Sequence, residues 1–310
     1  MWLFLAALAL SASSSKADQW RVEPGPLWSV EGMIVKAMDL SGLAAVGQAH
    51  GLLISDETRL AQRFQINRTR KTLVVGESVA LLPGTGKEAD LEGIAASADE
   101  KWFYATGSHA VSRKSGKVRR DRSHVFRIAT NRTESSITMT TLLPVIESDE
   151  KLRGTLGKGS EDGGLDIEGI EDRAGTLFFG VRSPSVGGHA FVIEVNAEAL
   201  FTEASKVAHR THELALGEGL GLRDLVRVDD GFILISGKAA NDRASDGFEL
   251  YHWQGPGGKL TRIGGVPKTA GRPEGLLVLD ESADKVTVLV IFDGLEKGGP
   301  MELTLHKPRP

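Results

Sequence analysis

Apolar residues in this chain gather in short runs, not in the long three-to-four-residue stripes of amphipathic helices. "HGLLISDE" (50–57), "KWFYATGSH" (101–109), "TLFFGVRSP" (176–184), "GFILISGKA" (231–239) and "KVTVLVIFDG" (285–294) are rich in β-branched and aromatic residues and end at polar or glycine positions. Such runs read as buried strands. Ahead of each lies a shorter motif: "DLSGL" (39–43), "DLEGI" (90–94), "DIEGI" (166–170), "GLRDL" (221–225) and "RPEGL" (272–276). After each comes a third strand-like run: "LAQRFQI", "HVFRIAT", "HAFVIEV", "FELYHW" and "MELTLH". A fourth follows the first four of these: "TLVVGESVALL", "SSITMTTLLPV", "HRTHELAL" and "KLTRIGG".

Four strands per repeat, recurring along one chain, is the blade pattern of a β-propeller. The repeat count predicts an all-β fold of five four-stranded blades over residues 18–310. The last unit stops after its third strand, so "QWRVEPGPLW" (19–28) is expected to supply its fourth and close the ring by pairing the two ends of the chain. A sixth, degenerate blade inside the longest spacing, between residues 90 and 166, is the alternative count, although "EKLRGTLGKGSEDGG" (150–164) reads as loop. A β-sandwich is the competing architecture, since regular strand spacing suits it too.

In a propeller the first strand of each blade lines the axis, and residues two apart share a face. The repeats then stack three rings: Asp39, Asp90, Asp166, Gly221 and Arg272; Ser41, Glu92, Glu168, Arg223 and Glu274; Leu43, Ile94, Ile170, Leu225 and Leu276. The expectation is a charged cup above an apolar floor, with a bulge at the glycine able to shift the third ring. Crowded carboxylates cannot all ionise unaided. Arginine can clamp them in pairs, or a calcium ion can take carboxylate and hydroxyl oxygens. Ser41, Glu92, Glu168 and Glu274 offer that ligand set. Ion pairing that only fixes blade register is the structural alternative. If the cup is catalytic, Glu92 or Glu168 would orient or deprotonate water beside Arg223.

Loops after the second strands lie on the same face and bring Asp56, His109, Arg182, Lys238 and Asp293. With Asp90, Asp166 and Arg272, the residues His109, Arg182 and Lys238 are the expected ligand contacts. One loop, "SHAVSRKSGKVRRDRSH" (108–124), carries six Lys or Arg against one acid, which suits a phosphorylated or carboxylated ligand; a solvated surface loop is the plainer account.

Composition narrows the functions. Net charge is −4 and the isoelectric point about 6.1, with few aromatics, so nucleic-acid binding is not expected. Cysteine is absent, which removes disulfides and thiol chemistry. No complete phosphate-binding loop, Gly-x-Ser-x-Gly elbow or His-Glu-x-x-His motif occurs. Residues 1–17 form a short apolar stretch with small residues before Asp18, and resemble a signal peptide that lacks its leading basic residue. Export to the periplasm or medium is expected, with no membrane span and a monomeric chain. The partner is a small anionic ligand or a protein. Asn67 and Asn131 each begin an Asn-Arg-Thr sequon, which matters only in a glycosylating host.

At "DLEGIA…WFYATGSHAVSRKSGKVRRDRSHVFRI", "LDIEGIEDRAGTLFFGVRSP", "GLGLRDL…GFILISGK" and "RPEGLLVLD" the chain resembles the bacterial domain-of-unknown-function family 3616, over roughly residues 30 to 300. That resemblance implies an exported, propeller-like protein without an established activity. The Asp-x-Glu-Gly pattern is also similar to the phytase-like esterase propellers and, more loosely, to the calcium-activated nucleotidases. The latter likeness implies Ser41, Glu92, Glu168 and Glu274 as calcium ligands; Arg223 departs from an all-oxygen ring. Two readings follow: a binding module for a small anion or partner, and a phosphoester hydrolase acting on the axis.

Overall fold

Each apolar run between polar turns forms a strand, and successive strands pair antiparallel as hairpins. The computed structural model of the chain describes residues 19–47, 49–112, 115–131 and 136–309, so the leader expected over 1–17 lies outside the described residues. The N-terminal segment gives β1 (Arg21–Leu27) and β2 (Ser29–Glu31). Blade one holds β3 (Leu40–Val46), β4 (His50–Ser55), β5 (Leu60–Asn67) and β6 (Thr72–Ala80). Blade two holds β7 (Leu91–Ala96), β8 (Trp102–Gly107), β9 (Val125–Ala129) and β10 (Ile137–Thr140). Blade three holds β11 (Asp166–Arg173), β12 (Thr176–Val186), β13 (His189–Asn196) and β14 (His209–Ala215). Blade four holds β15 (Leu220–Val228), β16 (Gly231–Lys238), β17 (Glu249–Trp253) and β18 (Leu260–Gly265). Blade five holds β19 (Arg272–Glu281), β20 (Lys285–Asp293) and β21 (Met301–His306), with β1 as its outer strand.

The inner strands β3, β7, β11, β15 and β19 neighbour one another in that order, and β19 returns to β3. This is a closed five-bladed propeller. Blade three shows the turn chemistry well. Ala174–Gly175 and Gly187–Gly188 both take left-handed φ at both positions, the turn that matches strand twist in a two-residue hairpin.

Closure follows the expected route and adds to it. β1 pairs antiparallel with β21 from Arg21↔His306 to Leu27↔Met301. β2 then runs parallel to β6 and becomes a fifth strand of blade one. The N-terminal segment therefore bridges the last blade and the first. Between its two strands sits buried Trp28, whose backbone N–H donates to Pro300 O at 2.8 Å and whose indole donates to Glu302 at 2.9 Å.

The long spacing before blade three is an insertion and not a sixth blade. The run read as a strand through Val145 stops at Thr140, and α1 (Leu143–Ser148) begins with a proline in its first turn, where a missing N–H costs nothing. Leu142, Val145, Ile146, Leu152 and Leu165 from this insertion cap the apolar layer between blades two and three. Five such layers exist, one at each blade interface.

Candidate functional site

The residue before the glycine position of every motif is a β-bulge. Leu40 faces Ser55 and Gly42 faces Ile54, so Ser41 has no partner across the hairpin. The same slip leaves Glu92, Glu168, Arg223 and Glu274 as the extra residue in β7, β11, β15 and β19. A bulge bends the strand and re-aims one side chain. All five of these residues line one small cavity on the axis, about 50 Å³, with Asp39, Asp56, Arg182, Asp242, Arg272 and Asp293 around them. In blade three a second bulge on β12, between Val181 and Ser183, turns Arg182 inward as well.

The bulge also changes what lies beneath. Leu43, Ile94, Ile170, Leu225 and Leu276 each join a different blade-interface layer. The expected apolar floor is instead a belt of close backbone contacts. A Cβ on Gly93 would sit 2.8 Å from Glu168 O and 2.9 Å from Ile170 N, and one on Gly275 would sit 3.2 Å from Gly42 Cα. Glycine is required here because neighbouring inner strands touch. Blade four has Asp224 at that position, and its carboxylate accepts a hydrogen bond from Leu276 N at 2.7 Å, tying β15 to β19.

Two buried arginines organise one side of the cup. Arg182 reaches Glu168 at 2.7 Å, Asp242 at 2.8 Å and Asp166 at 3.6 Å. Arg223 reaches Glu168 at 2.9 Å and Asp242 at 3.3 Å, and bonds Glu274 directly. Glu274 is pushed up by burial, against the pull of Arg223. Arg272 pairs with Asp293, yet its side chain remains 38% exposed.

The other side is acidic and uncompensated. Glu92 makes no hydrogen bond or ion pair among the described residues. Burial, then the nearby charges of Asp90, Glu168, Asp56 and Asp166, push its carboxyl well above the usual range, toward the protonated form. Asp56 is pushed up to about 7 by burial and then by Asp293, Asp90 and Asp39.

Beside the cup lies a vestibule of about 370 Å³, lined by Ser112, Gly116, Ser160, Asn241 and others. It shares Arg182, Asp242 and Arg272 with the cup. Part of the basic loop walls it, but two of that loop's charges are spoken for. Arg119 and Arg122 bond Glu88, and Arg122 reaches Asp90 at 2.9 Å. Against the upward push of burial, those arginines hold Glu88 down at about 2. Arg113 and Lys114 lie outside the described residues.

The expected site residues therefore divide. Ser41, Glu92, Glu168, Arg182, Arg223, Arg272 and Glu274 line the cup. Asp90, Asp166, His109 and Lys238 do not. Asp90 is turned aside to Ser108 and Arg122. Asp166 stands behind Arg182. His109 is buried with Nδ1 on Gly107 O and Nε2 accepting from Leu142 N, which fixes a neutral structural imidazole. Lys238 points to Asp246 at 3.0 Å, and only its carbonyl serves the site, accepting from Arg182 Nε. Asp242 is the residue that sequence reasoning missed. It lies four positions past Lys238, in the loop after β16.

The donor set fits a calcium ion poorly. Both Glu168 oxygens and one of Glu274's are spent on guanidinium groups, and the Ser41 hydroxyl donates to Leu91 O at 2.6 Å. Among the described residues no group of three His, Asp or Glu side chains gathers as metal ligands would. No helix there is long and apolar enough to cross a membrane.

Comparison with known proteins agrees with the architecture. An exo-β-1,3-galactanase from Phanerochaete chrysosporium, solved with β-1,3-galactotriose, superposes with a TM-score of 0.54 at 11% identity, covering 93% of this chain and 64% of that one. A GH43 β-1,3-galactosidase with galactodeoxynojirimycin gives 0.52 at 9% identity, covering 91% and 94%. Virginiamycin B lyase from Staphylococcus aureus gives 0.42 at 10% identity, covering 93% and 99%. At such identities the likeness to the first two is one of fold alone. No curated protein matches the chain. A family model described as a protein of unknown function, DUF3616, matches residues 39–153 and 133–299, and the chain belongs to that family.

Proposed function

We propose that this chain is an exported binding propeller whose cup and vestibule together take a small acidic polyol, of the sugar-phosphate or uronate class. The observation that carries this reading is Arg272. Its side chain, 38% exposed, lines both cavities, whereas Arg182 and Arg223 are buried in carboxylate pairs. An acidic group can meet the open edge of Arg272. Hydroxyls of the same ligand can donate to the uncompensated acids, Asp56 and Glu92, across the cup. Export rests on the apolar leader.

Glu92 favours a second reading, hydrolysis of a phosphoester in the same place. A carboxyl that has no partner, faces a cavity and favours its protonated form is suited to protonate a leaving group. Glu168 is held by two arginines, so as Glu92 protonates the departing oxygen the attacking water passes its proton to the phosphate released.

A thermal-shift screen of sugar phosphates, uronates and inorganic phosphate, with matched turnover assays, tests both. A stabilising ligand is expected whose effect disappears in Arg272→Met while the fold persists. If no acidic polyol stabilises the protein, or Arg272→Met binds it undiminished, the binding reading is wrong. Turnover lost in Glu92→Gln with binding retained establishes the hydrolase. A calcium-dependent shift without ligand, reversed by chelator, would restore an axial cation.

A further inference from the structure

The loop after β16 carries a carboxylate into the cup from outside the inner strands. It runs from Ala239 to Phe248 and joins β16 to β17. Asn241 and Arg243 are exposed, yet the Asp242 side chain between them is only 4% exposed. Its Oδ1 lies 2.8 Å from Arg182 Nη2 and its Oδ2 3.3 Å from Arg223 Nη1. Asp242 lines both the cup and the vestibule, so it stands where the two meet.

Among the described residues little else holds this loop. Its ends are fixed where Ala239 N donates to Gly219 O and Val266 N to Phe248 O, both at 2.8 Å. Between those ends the hydrogen bonds stay local. Arg243 N donates to Asp246 at 2.7 Å, Asp246 N to Arg243 O at 2.9 Å, and Lys238 to Asp246 at 3.0 Å. The bond from Arg182 to Asp242 is the exception. Two buried guanidiniums are thus covered by a carboxylate whose loop is held through that same carboxylate. An incoming anion can replace it charge for charge, so neither arginine is left unpaired in a buried setting. A group tethered by a short loop competes like a free one at an effective concentration on the order of millimolar. A ligand with further contacts in the cup can outcompete that.

We propose that Asp242 is a built-in competitor: a carboxylate or phosphate group of the ligand displaces it, sits on Arg182 and Arg223, and frees the loop 239–248. The proposal rests on the reading of the cup as a site for an acidic ligand, and gives that site a second anion seat apart from Arg272.

Calorimetric titration of the full chain with inorganic phosphate tests it. Asp242→Asn should bind phosphate about tenfold or more tightly than the parent, because the tethered competitor is gone. The gain should persist when Arg272→Met is added and vanish when Arg182→Met is added. Trypsin should cut after Arg243 faster in Asp242→Asn than in the parent. If the Arg182 variant does not fold, formate on Asp242→Ala decides. Formate should raise the melting midpoint of that variant above its value in chloride at equal ionic strength, and leave the parent unmoved. The proposal is overturned if Asp242→Asn gains no affinity, if the gain needs Arg272 and not Arg182, if Arg243 is cut no faster, or if formate does nothing for Asp242→Ala. Acidic polyols that still stabilise the parent through Arg272 would in that event leave the function proposed for the cup standing.

Discussion

At the scale of single residues, the cup is a balance between charges that are clamped and charges that are not. Removing Arg223 would strand Glu168, Glu274 and Asp242 in a buried setting, a change that typically costs about 3–5 kcal/mol. Asp56 is the opposite case, because the folded state holds it against its preference. Burial, with Asp293, Asp90 and Asp39, lifts it to about 7. The folded protein keeps a proton there that the unfolded chain releases above about pH 4. Stability should therefore fall as pH rises from about 4 to about 7, then level off. Asp56→Asn removes that penalty. The variant is expected to be more stable than the parent by about 1–3 kcal/mol at pH 8 and equal to it at pH 4, read from denaturant midpoints. An equal difference at both pH values would show that the acid cluster imposes no such strain. Asp56 was visible in the sequence as a loop residue. Its coupling to Asp90 and Asp293, from two other blades, was not.

At the scale of elements, the repeated Asp-x-Glu-Gly unit is a bulge followed by a contact point. The bulge throws one charged residue onto the axis, and the glycine lets the next inner strand approach. Gly93→Ala places a methyl against the backbone of β11, where neither atom can yield easily. A loss of about 1–3 kcal/mol is expected. Gly76, on outer strand β6, has open space and an ordinary φ, so Gly76→Ala should be neutral or slightly stabilising. Equal losses at the two sites in thermal melts would mean that the belt is looser than its geometry implies. The motif and its spacing were legible because a repeat marks equivalent positions. The phase shift was not, because a bulge adds a residue without leaving a mark in the hydrophobic pattern. The apolar floor expected beneath the cup was therefore displaced into the blade interfaces.

At the scale of the whole molecule, closure depends on one short segment. β1 itself is mostly exposed, so it contributes backbone pairing more than burial. It nonetheless covers the edge of β21, while β2 and Trp28 tie blade five to blade one. Deleting residues 19–27 should expose that edge and lower the unfolding midpoint. The shortened chain should also self-associate, since an unpaired strand is a template for another chain. Size-exclusion chromatography beside a thermal melt reads both effects. A monomer with an unchanged midpoint would show that the clasp is dispensable.

The sequence alone determined the propeller, its five units, the closure by the two ends and the identity of the ring residues. These follow from periodicity, and periodicity is carried by neighbours along the chain. The tertiary structure alone decided which of those charges meet. Arg182 and Arg223 converge on Glu168 and Asp242 because the neighbouring blades three and four meet at a narrow axis. Glu92 is left alone because no guanidinium from any other blade reaches it. Pairing of that kind depends on distances between segments far apart in the chain, and no local pattern of residues encodes them.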